Sequence, residues 1–324
     1  MTATQIQNLL VLCLIVGYAS MEYISRRYKT TVNATGNDTK LELFMFLSLL
    51  AITQPLAILV TGKLGAWLAP EYKDALAHLP AWAMVGILLV GDDMTQYWWH
   101  RLSHSPLLWP LHRAHHSASY MSIRITFRNN FFYYLMMPGL WIAGALLYLG
   151  VGGMVYALYI TVKLAVILGA HCSWRWDEPL YKTKALRPVM WVLERTISTP
   201  ATHWAHHAIT NEDGVGHYKG NFGNLLFVWD MIFGSAHITR RYPARVGLVD
   251  DQLFGAEHWS HQMFYPVVQS QREHTALKFG GSAYVEPTQP AQAAQAIAPM
   301  HDLLAAADGR GPTPTAIQPN RSIQ

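Results

Sequence analysis

Nine of the 16 histidines in this 324-residue chain stand in patterns that suit metal binding. His100-Arg-Leu-Ser-His104 has the i, i+4 spacing that presents both imidazoles on one helical face. His112-Arg-Ala-His115-His116 and His203-Trp-Ala-His206-His207 share an i, i+3, i+4 spacing, and each reads as three histidines on one face. His171, at the end of an apolar segment, is the ninth. With histidine at about one residue in twenty, an H-x-x-H-H match arises by chance at roughly one start position in ten thousand, so two copies beside H-x-x-x-H form a specific signal. Nine imidazoles exceed the needs of one metal, since zinc sites take about four ligands and mononuclear iron sites often two histidines and a carboxylate, so two metals are implied. An all-nitrogen set leaves iron, copper and zinc open on ligand type.

These side chains need helices that bring them together. Pro106 and Pro110 must break the helix after the first box and let the chain turn back. Thr199-Pro200 reads as an N-cap and first helical residue, starting a fresh helix for the third box. Apolar runs at 7–25, 41–61 and 81–99 each approach the roughly 20 residues of a membrane-crossing helix. Runs at 131–149 and 153–172, separated only by Gly150 to Gly153, read as a helical hairpin. The expected fold is all-α: a multi-pass membrane bundle of about four to five membrane helices, hairpin included, with a cytoplasmic helical cap carrying the histidine boxes. Three parts follow: N-terminal membrane helices and loops at 1–80, a catalytic domain at 81–270, and a disordered Pro-, Ala-, Gln- and Gly-rich tail at 271–324.

Composition agrees. Hydrophobic residues make up 51% and charged residues 14%, against roughly 25% charged in soluble domains. The net charge of +4 comes from scattered Lys and Arg, with no run that would track nucleic acid. Basic residues in the segments after 100 and after 172 place both, and the loop with Arg26, Arg27 and Lys29, in the cytoplasm. The sequons at Asn33 and Asn37 then face away from the glycosylation machinery. Two cysteines, Cys13 and Cys172, imply no disulfide framework.

Further site candidates surround the boxes. Asp93, Gln96, His100 and His104 fall at helical spacing, so Asp93, or Asp92 in competition with it, could fix an imidazole tautomer. Lys163 sits eight residues before His171 and could pair with Asp92 or Asp93, or meet a lipid headgroup. Trp98, Trp99, Trp204 and Phe222 are candidate walls of a substrate cavity. His237, His258 and His261 read as structural or surface residues. A histidine-lined metal transporter is the rival from another class, but it would place ionisable residues near the bilayer midplane, whereas these boxes lie at helix ends.

From Asp92 to Ala236 the chain resembles the fatty acid hydroxylase superfamily, also called the sterol desaturase family. The resemblance rests on His100 to His104, His112 to His116, His171, Thr199 to His207, Asn221-Phe222-Gly223 and Trp229-Asp230-Met231-Ile232-Phe233-Gly234-Ser235. It implies two iron ions, O2 as co-substrate, a lipid substrate such as a fatty acyl or sterol, and hydroxylation or, alternatively, desaturation of a C–H bond. It also implies a separate electron donor of ferredoxin or cytochrome b5 type with a reductase, and a bacterial inner membrane or endoplasmic reticulum. Asp230 joins Asp92 and Asp93 as a candidate supporting carboxylate. Where some relatives carry a further histidine, Arg175 stands here, which leaves a tenth ligand open between His217 and Asn221.

Overall fold

A computed structural model describes residues 1–272 and 275–278. Among them the chain is helical, with isolated bridges at Ile197↔Leu226 and Ala208↔Val246 and no strand. Helix α1, Ala3–Ile24, starts at a capping box in which Thr2 and Gln5 satisfy each other's backbone N–H groups. Helix α2, Gly36–Leu68, runs 33 residues and overruns the expected 41–61 at both ends. Its start is fixed by a second capping box, Thr35 with Asp38, and it passes through a π-helical stretch at Leu49–Thr53. Helix α3 joins Ala81–Leu88, the π-helical Leu89–Met94 and Thr95–Ser103 without a break.

The expected apolar arm at 131–149 is interrupted. Pro138 has no N–H to donate and holds Met137 in extended backbone. After α4, Trp109–His116, the arm is thus split into α5, Phe131–Met136, and α6, Pro138–Tyr148. A tight turn with Gly150 at φ +93° leads into α7, Gly153–His171. This hairpin is one of connectivity, because α6 packs along α2 while α7 packs along α1. Helix α3 touches both arms, and Met84, Leu88, Ala143, Leu146, Tyr156 and Tyr159 share one buried cluster.

Among the described residues three helices are long and apolar enough to cross a membrane: α1, α2 and α7. That is fewer than the four to five expected, because α3 carries Asp92 and Asp93 in its middle and α6 has only 11 residues. Leu9, Val16, Leu47, Leu158 and Val162 point outward, which in water would be costly and in lipid is not. Helices α2 and α6 approach closely through small residues, as membrane helices do. A Cβ on Gly144 would lie 2.4 Å from Thr61 Oγ1 and 3.2 Å from the Ala57 carbonyl oxygen. Gly144→Leu is therefore expected to push α2 from α6 and cost about 3 kcal/mol or more, read as a lower thermal midpoint in detergent.

The polar segments collect at one end of the bundle. The buried Glu22 carboxylate, near the end of α1, accepts from Ser122 Oγ at 2.7 Å, Ile123 N at 2.9 Å and Ser173 N at 2.7 Å. Arg27 pairs with Glu178 at 3.2 Å. At that end lie α8, Arg187–Thr196, α9, Pro200–His206, α10, Val228–Phe233, and α11, Trp259–Phe264. The Asn37 side chain is used in packing, donating to the Glu257 carbonyl at 2.8 Å and accepting from Trp259 N at 2.7 Å. The folded part continues past 271: Ser270 N donates to the Leu277 carbonyl at 2.9 Å, and Leu277 is fully buried. The rest of the tail expected to be disordered lies outside the described residues.

Candidate metal centre

Four elements deliver the histidines. The last turn of α3 and its C-terminal cap carry His100 and His104, α4 carries His112, His115 and His116, α7 ends on His171, and α9 with its C-terminal cap supplies His203, His206 and His207. Thr199 caps α9 with Pro200 at its first position, as expected, and Asp177 accepts from Ala201 N at 2.9 Å. This meets an N–H that the helix start would otherwise leave orphaned.

The nine imidazoles form two groups, His100, His104, His112, His116 and His206 in one and His115, His171, His203 and His207 in the other. Within each group the candidate ligand atoms lie within 4.8 Å of one another. The boxes do not each face one way, as the spacing suggested. At 100° per residue, positions i and i+4 stand about 40° apart, while i+3 lies about 60° to the other side. So His112 and His116 join the first group and His115 the second, whereas His203 and His207 join the second and His206 the first.

Their hydrogen bonds fix the tautomers. The Nδ1–H of His100 donates to the Phe222 carbonyl at 2.7 Å, that of His206 to Gly220 at 2.7 Å, that of His171 to Ile167 at 2.8 Å and that of His115 to Arg128 at 3.1 Å. His112 Nδ1 stands 3.3 Å from Asn129 Oδ1. A neutral imidazole that donates through Nδ1 has only a lone pair at Nε2. Yet His100 and His206 point Nε2 at each other across 2.9 Å, and His115 and His171 do so across 3.3 Å. His104 Nε2 is buried without a hydrogen-bond partner among the described residues. Lone pairs facing one another repel unless a cation lies among them, so both histidine groups fit metal ions.

Burial holds His104, His112, His115, His116, His203, His206 and His207 well below the ordinary histidine value, and repulsion from neighbouring imidazoles adds to it. Below about pH 6.5 the unfolded chain binds protons that the folded chain refuses. Stability of the metal-free protein is thus complete above that pH and lost below it, with a slope of about 1.4 kcal/mol per pH unit for each histidine. Unfolding of chelator-treated protein between pH 5 and 8 checks this; a flat profile would contradict it.

The supporting carboxylates lie elsewhere than expected. Asp93 accepts from Leu225 N at 3.3 Å, Leu226 N at 3.1 Å and Trp229 Nε1 at 2.8 Å. It anchors that loop and touches no imidazole. Asp92 accepts from Lys163 Nζ at 2.5 Å and Tyr159 Oη at 2.8 Å. The π-helical turn shifts the register, turning Asp92, instead of Asp93, toward α7. Asp230 accepts from Phe222 N at 2.8 Å, Gly223 N at 2.6 Å and Ser235 Oγ at 2.6 Å, and so holds the loop whose carbonyl meets His100.

Neither candidate for a tenth ligand joins a group. The His217 ring lies against His237, with centroids 4.9 Å apart. Asn221 spends both ends of its amide on backbone, donating to Thr202 and His237 carbonyls at 2.9 Å each and accepting from His237 N at 2.7 Å. Its φ of 56° is one that asparagine tolerates better than most residues.

A cavity of about 1010 Å³ begins at His100, His112, His115 and His171, thus at both groups, and runs between α1, α2, α6 and α7 as far as Ala3 and Gly153. Lys163 lines it as expected, but the four aromatic candidates do not. Trp98 packs on Phe233, Trp99 on Tyr133, Trp204 on Tyr242, and Phe222 on His104. The walls come instead from Val11, Ile15, Leu140, Ile160, Leu164 and Ile167, with Tyr133 and Tyr134 near the histidines.

Residues 85–235 match the family model described as fatty acid hydroxylase. Alkylglycerol monooxygenase of Danio rerio is 28% identical over 152 residues, 46% of this chain and 29% of that protein. The Homo sapiens enzyme of that name is 28% identical over 149 residues, 45% of this chain and 29% of its own length. That of Xenopus tropicalis is 24% identical over 152 residues, again 29% of its length. The chain thus matches less than a third of these relatives. No solved structure matches it.

Proposed function

From a fatty acid hydroxylase segment at residues 85–235 in an integral membrane protein, we propose that the chain uses O2 to hydroxylate a C–H bond of a membrane lipid at two iron ions. The carrying observation is the pair of buried histidine groups, with tautomers fixed by backbone carbonyls, both opening on one cavity. Aliphatic C–H bonds resist acid–base and nucleophilic side chains, and two redox-active irons would supply the oxidising power.

The chain's own residues do the rest. His100, His104, His112, His116 and His206 would hold one iron, and His115, His171, His203 and His207 the other. Carbonyls of Phe222, Gly220, Ile167 and Arg128 keep the Nε2 lone pairs aimed inward. Ile167, Leu164, Tyr133 and Tyr134 exclude water where the lipid meets the histidines. Electrons would come from a separate carrier of ferredoxin or cytochrome b5 type, for which the exposed Lys182, Lys184 and Arg187 offer a basic landing surface. The ion pair Arg27–Glu178 ties two basic segments together, supporting a cytoplasmic position for the boxes.

The test is expression in a lipid-producing host, with lipids compared by mass spectrometry against His115→Ala and iron measured on purified protein. Gain of one oxygen in one lipid class, lost in the variant, is expected. Loss of two hydrogens instead would mean desaturation. Stoichiometric iron without any lipid change across several hosts would overturn the proposal.

A further inference from the structure

Two helical turns from the histidines, the cavity wall changes character. Lys163 and Asp92 line the cavity, are 5% exposed each and form an ion pair at 2.5 Å. Each stands eight residues before a histidine of the centre, Asp92 before His100 and Lys163 before His171, which places the pair about 12 Å along both helices. Charges within a bundle that crosses lipid are costly even when paired. Packing does not explain these two, since they face an opening.

Their hydrogen-bonding capacity is not used up. The ammonium has three N–H groups, and its one hydrogen bond among the described residues goes to Asp92 Oδ2. Tyr159 Oη binds that same oxygen, so Oδ1 has no donor among the described residues. The side-chain amides of Gln96 and Asn224 also line the cavity, again without a hydrogen bond among the described residues. Gln96 lies midway between Asp92 and His100 on α3. The cavity therefore has a polar stripe on the α3 side, while the walls from α1 and α2 are mostly apolar, with Thr4, Gln7, Asn8 and Gln54 among them.

A group that fits must accept from the ammonium and donate to the free carboxylate oxygen. A hydroxyl does both. A carboxylate or phosphate would meet the Asp92 charge, and a plain hydrocarbon would leave the remaining ammonium N–H groups and Oδ1 without partners. We propose that the Lys163–Asp92 pair is a binding site for a neutral hydroxyl group of the lipid, held about 12 Å along the helices from the histidines. This rests on the reading of the cavity as a lipid site, and names the substrate class as a hydroxyl-bearing neutral lipid.

The test is binding, independent of turnover. Radiolabelled 1-hexadecanol is bound to the full, iron-loaded chain in detergent and competed with unlabelled 1-hexadecanol, hexadecane, hexadecanoate and hexadecyl methyl ether. The alcohol is expected to bind at least about 10-fold tighter than each of the others, the range for hydrogen bonds to charged groups. In a Lys163→Met/Asp92→Leu variant the ratios are expected to fall near one while two irons per chain remain. Equal binding of all four by the native chain would overturn the proposal, as would ratios that survive in the variant. If the variant does not fold, the native ratios and single Lys163→Gln still decide. Preference for the alcohol without any lipid oxidation would uphold this site and sink the oxidation reading; oxidation without preference would do the reverse.

Discussion

Exchanging His206 for alanine is expected to remove one metal ion from the chain, and exchanging His203, three residues away in the same box, to remove the other. The sequence motif would treat the two as equivalent ligands. The fold does not, because α9 turns His206 toward His100, 2.9 Å away through Nε2, and His203 toward His171, also 2.9 Å away. Iron per purified chain should fall from about two toward one in each single variant and toward zero in the double. The proposed lipid oxidation should fall beyond the roughly 10- to 100-fold loss that outer partners of metal ligands produce. Single variants that each lose both metals, or neither, would show that the two groups are not separate sites.

Asp230→Ala is expected to be nearly as damaging, though Asp230 touches no histidine. Its carboxylate is fully buried and takes hydrogen bonds from Phe222 N, Gly223 N and Ser235 Oγ. Removing it strands three donors at about 1–3 kcal/mol each, a total near 3 kcal/mol or more. The Phe222 carbonyl that orients His100 would shift with them, so iron affinity should also fall, by about 10- to 100-fold. Asp230→Asn keeps one oxygen and should lose less than half as much stability. Chemical unfolding and iron titration of the two variants check both effects; an Asp230→Ala protein with native stability would contradict the assignment.

The sequence was most informative where function demands particular side chains at fixed spacing. All nine box histidines enter the two groups, and the Thr199-Pro200 helix start, a break between the first two boxes and the pairing of Lys163 with Asp92 all appear in the structure, although Pro110 sits in the first turn of α4 and not in the break. It was least informative where geometry departs from the α-helical period. Reading α3 as regular put Asp93 on the histidine face, but a π-helical turn at Leu89–Met94 moved Asp92 there instead. Nor could residue types reveal that carbonyls of Gly220, Phe222, Arg128 and Ile167 orient the imidazoles, since every residue has a carbonyl. Aromatic residues beside the boxes looked like cavity walls, yet they pack on one another because large rings near a helix end find neighbours within the cap. The cavity found beside the histidines is lined largely by aliphatic residues of α1, α2, α6 and α7, which look like any other membrane-helix residues.

The cavity lies beside the whole of α7, from His171 to Gly153. A 19-residue helix rises about 27 Å, close to the roughly 30 Å of a bilayer's hydrocarbon core. Its floor, at Ala3 and Gly153, therefore lies about 27 Å along α7 from His171. A floor so distant cannot act as a stop. For the proposed lipid substrate, the carbon presented to the histidines would then be counted from whichever end is held, and lengthening the free end is expected to leave the position of the proposed oxidation unchanged.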